Sequence, residues 1–177
     1  MKVELVGYPQ EADLIWCKEC AIGTEGKTLK TPPDDKWLRK IAIAQHSPIR
    51  ELVYRFVLTD VPYWVLMELC RHHQGCEKYV QSSRNDRQSD FDRNAARQDM
   101  PRTMRFSVNL DALINISKKR LCGMATNEMQ NLVGLMCREV MRVQPWTRGL
   151  FMPSCGWQGG ECHEMRGCGR NAMYRDV

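Results

Sequence analysis

The chain has 177 residues, 43% hydrophobic and 27% charged, with a formal net charge of +5 at pH 7, enough for one domain with a real core. No apolar run approaches the ~20 residues needed to cross a bilayer, which excludes a membrane-embedded class. Met1-Lys2-Val3-Glu4 carries an early acid and no long apolar stretch, so no secretory signal is expected and the cytoplasm is the expected compartment.

In chain order, Val3–Val6 reads as a short strand and Ala12–Cys20 as a helix. Thr24–Pro33 is a Gly-, Thr- and Pro-rich loop. Asp34–Ala44 reads as a second helix, with acids at its start and Trp37, Leu38 and Ile41 on one face. Glu51–Leu58 is strand-like, because Leu52, Tyr54, Phe56 and Leu58 recur at period two. Pro62 suits the first turn of a helix reaching Arg71, with Val65, Leu66 and Leu69 spaced for burial.

His72 to Arg93 is polar and is expected to be irregular. Thr103–Asn109 fits a strand and Asp111–Arg120 a helix. Ala125–Val143 is the clearest helix, with an apolar stripe of Met129, Leu132, Val133, Met136, Val140 and Val143, stopped by Pro145. The tail over residues 151–177 is rich in Gly and Cys and reads as irregular. Helices interleaved with few strands point to an α+β class. No Gly-rich strand–turn–helix fingerprint supports a Rossmann or P-loop site.

Between Arg71 and Arg120 there are eleven Lys/Arg against six Asp/Glu, an excess equal to that of the whole chain. A basic centre fits an anionic partner, either a nucleotide, cofactor phosphates or nucleic acid, with a solvated surface as the plain alternative.

Three stretches resemble the flavin-dependent thymidylate synthases (the ThyX family). Ser47-Pro48, with the strand ending at Phe56, is similar to that family's Thr-Pro-Phe-Glu-His strand. Arg71-His72-His73 and Ser82-Ser83-Arg84 resemble the two ends of its Arg-His-Arg…Ser-x-Arg signature. Arg97-Gln-Asp-Met-Pro101, Asn115-x4-Arg120 and Ala125-Thr-Asn-Glu128 follow in the family's order. Departures are also visible. His73 stands where the family has Arg, Tyr79-Val80 or a neighbouring pair where it has Asn-Glu (one extra residue separates the two ends of the signature), Arg50-Glu51 where it has Glu-His, and Glu68 where it has Gln. The stretch from Arg84 to Arg97 is also shorter than usual.

The resemblance implies a ThyX-like fold, a small antiparallel sheet packed with helices, in a homotetramer with active sites at subunit interfaces. It implies FAD as cofactor, NADPH and methylenetetrahydrofolate as co-substrates, and dUMP or a related pyrimidine nucleotide as substrate. Carried over, Arg71, His72, His73 and Asn115 bind flavin. Ser82, Arg84, Arg97 and Glu68 bind the nucleotide, and Arg120 faces the pyrimidine as the catalytic charge. Glu128 is a candidate orienting acid near the same helix junction. No membrane or nucleic-acid partner is expected. A different pyrimidine nucleotide (dCMP), a hydroxymethyl product and a zinc-stapled nucleic-acid-binding module are the competing readings. Against the last, aromatic residues are not interleaved with the basic run as base stacking would require.

Nine cysteines, an odd number, with no export signal, argue for reduced thiols or a metal rather than a disulfide framework. Cys155, Cys162 and Cys168, with His163 between them, have the ligand types of a zinc site, and Cys17-x2-Cys20 supplies a further pair. Free thiols are the alternative.

Overall fold

The computed structural model describes residues 1–88 and 91–169; residues 170–177 of the cysteine-rich tail lie outside them. Four strands form one antiparallel sheet: β1 (Lys2–Gly7), β2 (Val53–Pro62), β3 (Cys76–Val80) and β4 (Pro101–Asn109), in the order β1-β2-β4-β3. The helices are α1 (Glu11–Gly23), α2 (Asp35–Ile43), α3 (Tyr63–Cys70), α4 (Leu110–Arg120), α5 (Asn127–Val143) and a single turn α6 (Ser154–Trp157). The α+β expectation and the small antiparallel sheet both hold.

Period-two burial explains the sheet. Tyr54, Phe56, Leu58 and Val61 of β2 are buried, as are Met104, Phe106 and Val108 of β4, while Arg55 and Arg105 point to water. α3 packs on β2 and β4, and α5 on β1, α3 and α4. The α5 stripe from Met129 to Val140 is buried as its spacing predicts, and Val143 sits at the margin. Helix starts are marked by acceptor side chains. Asp34 accepts from the Trp37 amide at 2.7 Å and Asn109 from the Ala112 amide at 2.9 Å.

The structure differs from expectation at several places. Ser47–Glu51 is a 3-10 turn, opened by Pro48, so β2 begins later than its apolar alternation suggested and then runs on to Pro62. A β-bulge between Leu58 and Val61, with Asp60 at φ 55°, carries it past the expected end. Cys76–Val80 is a strand inside the stretch expected to be irregular. Its polar residues occupy the outer positions of an edge strand, so only Cys76 is buried. α1 extends further at both ends than Ala12–Cys20.

Deep in the core, the Tyr54 hydroxyl donates to Oε1 of Gln144, whose amide donates to the Pro9 carbonyl at 2.9 Å. This chain of bonds satisfies two buried polar side chains and ties β2 to the end of α5.

Candidate functional site

α3 and α4 end side by side, and their last residues build one cluster. Arg120, the last residue of α4, donates from Nε to His72 Nε2 at 2.9 Å, from Nη1 to Glu68 Oε2 at 3.3 Å and from Nη2 to the Glu68 carbonyl at 3.2 Å. The side chains of the ion pair are 19% and 27% exposed, so the guanidinium is held in place rather than waving in solvent.

That geometry fixes the state of His72. An arginine Nε always donates, so His72 Nε2 must carry a lone pair, and the neutral ring bears its proton on Nδ1. Electrostatics agree. Burial, then the positive charges of Arg120, Lys78, His73 and Arg71, hold the His72 pKa down at about 4. Its backbone carbonyl is gripped as well, by Lys78 Nζ and by the Cys76 thiol at 3.2 Å.

The turn after α3 is locked to α4. Gly75 has φ +67°, and its amide oxygen accepts from the Asn109 backbone at 2.9 Å. A β-carbon there would lie 2.7 Å from Asn109 and 2.9 Å from Ala112. Only glycine fits so close to the helix start. Between this turn and α4 lies a groove of about 760 Å³, lined by Arg50, Arg71, His72, His73, Asn115 and their neighbours. On its α4 wall, Asp111 accepts from Arg50 at 3.1 Å and from Gln45 at 3.0 Å, and Asn115 accepts from Gln45 at 3.2 Å. Lys118 donates to Gln45 and stacks over Trp157 at 4.3 Å; burial lowers its pKa.

The structure thus brings together Glu68, Arg71, His72, His73, Asn115 and Arg120. Ser82, Arg84 and Arg97 are elsewhere. Cys76 pairs with Val108 at one end of the β3–β4 ladder, whereas Ser83 meets Arg102 near the other, roughly 20 Å away at about 3.3 Å per residue. Arg84 and Arg97 are exposed and bound to Asp86 at 2.5 Å and Asp99 at 2.9 Å. Glu128 is exposed in the first turn of α5.

Cys155, Cys162 and Cys168 line one cavity of about 160 Å³, joined by Cys122, which the sequence reading left out. Among the described residues, however, no three His, Cys, Asp or Glu side chains are arranged to hold a metal ion, so the zinc set is not assembled; the thiols flank the cavity in an irregular segment with one helical turn to aim them. The cysteines are free, and Cys17, on the buried face of α1, has its pKa raised to about 12 by desolvation.

Sequence reasoning also passed over Lys78, Gln45, Asp111 and Arg102. Asp111 and Asn115 are one helical turn apart, a spacing that signals a shared face. Arg102 continues the inward alternation of Met104, Phe106 and Val108, which makes it an arginine at a core position.

No protein-family model matches this sequence, and no curated protein matches it. Solved structures do resemble it. A crystal structure of thymidylate synthase X (ThyX) from Helicobacter pylori with FAD and dUMP has a TM-score of 0.67 at 16% identity, covering 85% of this chain and 97% of that one. A second structure of the flavin-dependent thymidylate synthase ThyX from Helicobacter pylori, complexed with FAD and dUMP, has a TM-score of 0.63 at 16% identity, covering 81% of this chain and 98% of that one. At that identity the likeness concerns architecture, and the α+β fold of this chain is the ThyX-like fold.

Proposed function

We propose that the protein is a flavin-dependent thymidylate synthase, which transfers a one-carbon unit from methylenetetrahydrofolate to C5 of dUMP and reduces it to the methyl group of dTMP. The observation that carries this reading is the convergence of Arg120 and Glu68 on His72, which itself lines the groove beside Arg71, within a ThyX-like fold.

The groove residues fit FAD chemically. Arg71, His73 and Arg50 are cationic or polar donors suited to a pyrophosphate and to carbonyl oxygens, and the groove volume lies in the usual range for a ligand site. When bound, FAD supplies hydride received from NADPH. The protein's part is to bind and polarise. His72 presents Nδ1–H as a donor because Nε2 is committed to Arg120. Arg120, fixed by three hydrogen bonds, places a positive charge that stabilises negative charge developing on a pyrimidine carbonyl. Ser82, Arg84 and Arg97 bind the nucleotide phosphate. Their distance from Arg120 within one chain supports a site assembled between copies in a homotetramer, with the phosphate end of one copy facing the Arg120 end of another.

One feature favours keeping a second pyrimidine in view. Glu68 brings a carboxylate beside Arg120, an acceptor that an exocyclic amino group would match. The test is to purify the protein, record its visible spectrum, and assay dUMP and dCMP separately with FAD, NADPH and methylenetetrahydrofolate. Yellow protein making dTMP from dUMP is the expected result. Protein that stays colourless with added FAD would overturn the proposal, and methylated or hydroxymethylated product from dCMP alone would move it to the second substrate.

A further inference from the structure

The segment joining β3 to β4, residues 81–100, carries Ser82, Arg84 and Arg97. Its two ends are tied by backbone bonds. Gln81 N–H donates to the Thr103 carbonyl at 2.8 Å, extending the ladder by one residue, and Tyr63 and Trp64 at the start of α3 donate to the Met100 and Gln98 carbonyls at 3.0 and 3.1 Å. Between those ends, Arg102 reaches the segment from below. It is 6% exposed and lies on the core-facing side of β4, opposite Val61. Its Nη2 donates to Ser83 Oγ at 3.3 Å, and its guanidinium stacks at 4.3 Å from the Phe91 ring.

Burying a guanidinium costs free energy that an apolar side chain at this core position would not. Arg102 is the inward position where the apolar run of β4 is interrupted, and its described contacts both go to the segment above it. A planar fork that stacks and donates at once is the side chain suited to hold two separate points of a loop. The Ser82 hydroxyl oxygen accepts from the Arg84 backbone N–H at 3.3 Å, so the gripped Ser83 sits within a tight turn that brings Ser82 and Arg84 close together. Gln88 closes the arch by donating to the Ser82 carbonyl at 2.5 Å.

We infer that Arg102 is the positioning residue for substrate phosphate: it clamps Ser83 and Phe91 so that Ser82 and Arg84 face one anion. The inference rests on the proposed function for the role of Ser82 and Arg84, but the clamp itself is a property of the ligand-free chain. Arg102→Met puts an unbranched apolar side chain at the core position and removes both contacts. Ser83→Ala removes the hydrogen bond alone and serves if Arg102→Met does not fold.

Two readouts separate the clamp from the function. Trypsin digestion of ligand-free protein should cut within residues 84–97 about tenfold faster in Arg102→Met, with far-ultraviolet circular dichroism unchanged, because the loop opens locally. The KM for dUMP should rise about tenfold with kcat within twofold, the pattern of lost binding that is equal in ground and transition states. Arg102→Lys, which keeps the charge but not the fork, should not restore either value. Unchanged cleavage in both variants overturns the clamp. Faster cleavage with unchanged KM overturns the phosphate role. Wild-type protein that binds no dUMP, while Arg102→Met still loosens the loop, overturns the proposed function and the phosphate role with it.

Discussion

His72 makes the folded protein pay for acid in a way that can be measured. In the unfolded chain the ring takes up a proton near its ordinary value of 6.5, but in the folded chain it resists down to about 4. Between those values the unfolded state binds more protons, so stability is full above about pH 6.5, falls as pH drops towards 4, and levels off below. The full gap corresponds to about 3 kcal/mol; solvent reaching the half-buried ring trims this to roughly 1–2 kcal/mol. His72→Gln supplies the control, because a glutamine oxygen can still accept from Arg120 Nε but does not titrate. Urea unfolding at pH 7.5, 5.5 and 4.5 should show the wild type losing about 1–2 kcal/mol more than His72→Gln over that range. Nuclear magnetic resonance of the ring protons should place the His72 midpoint near 4. Equal pH slopes in the two proteins, or a midpoint above 6, would refute the assignment of His72 as a neutral acceptor.

Gly75→Ala combines a positive φ with a β-carbon 2.7 Å from Asn109, and should lower stability by about 1–3 kcal/mol in thermal unfolding; an unchanged melting temperature would mean that the turn is not packed as described. Tyr54→Phe leaves Gln144 Oε1 buried without its donor and should cost about 1–3 kcal/mol in urea unfolding, with no effect on ligand affinity. Arg84→Ala and Arg120→Ala should each abolish dTMP synthesis, yet regain a measurable fraction when unfolded together and refolded as mixed assemblies. Failure of the mixture to recover activity, with tetramers formed, would rule out sites shared between copies.

The parts of the fold visible in the sequence were those where one face is buried. Leu52, Tyr54, Phe56 and Leu58, and the α5 stripe, carry period-two and helical signals because water is on one side and core on the other. β3 carries no such signal: Glu77 and Tyr79 are exposed and Lys78 is turned towards the His72 carbonyl, so pairing with β4 alone makes it a strand. The Arg71–His72 and Arg120 pieces were recognisable by motif, but their direct contact spans 48 residues and comes only from the adjacency of α3 and α4. Arg102 was hidden for the opposite reason. In a basic stretch one more arginine looks like surface, and only its place in the β4 alternation marks it as interior. The tail cysteines lacked a standard spacing, and tertiary structure added Cys122 to them without forming a ligand set.

The length of the β3–β4 ladder has an evolutionary consequence. Substitutions farther apart than about 7–10 Å usually act additively, and the two ends of this ladder lie well beyond that. Changes that retune the arch over residues 81–100 are therefore free to accumulate without compensation at the Arg71–Gly75 turn, which is pinned to Asn109 and tolerates little. One end can be shortened, lengthened or recharged while the other is held to its sequence by close packing.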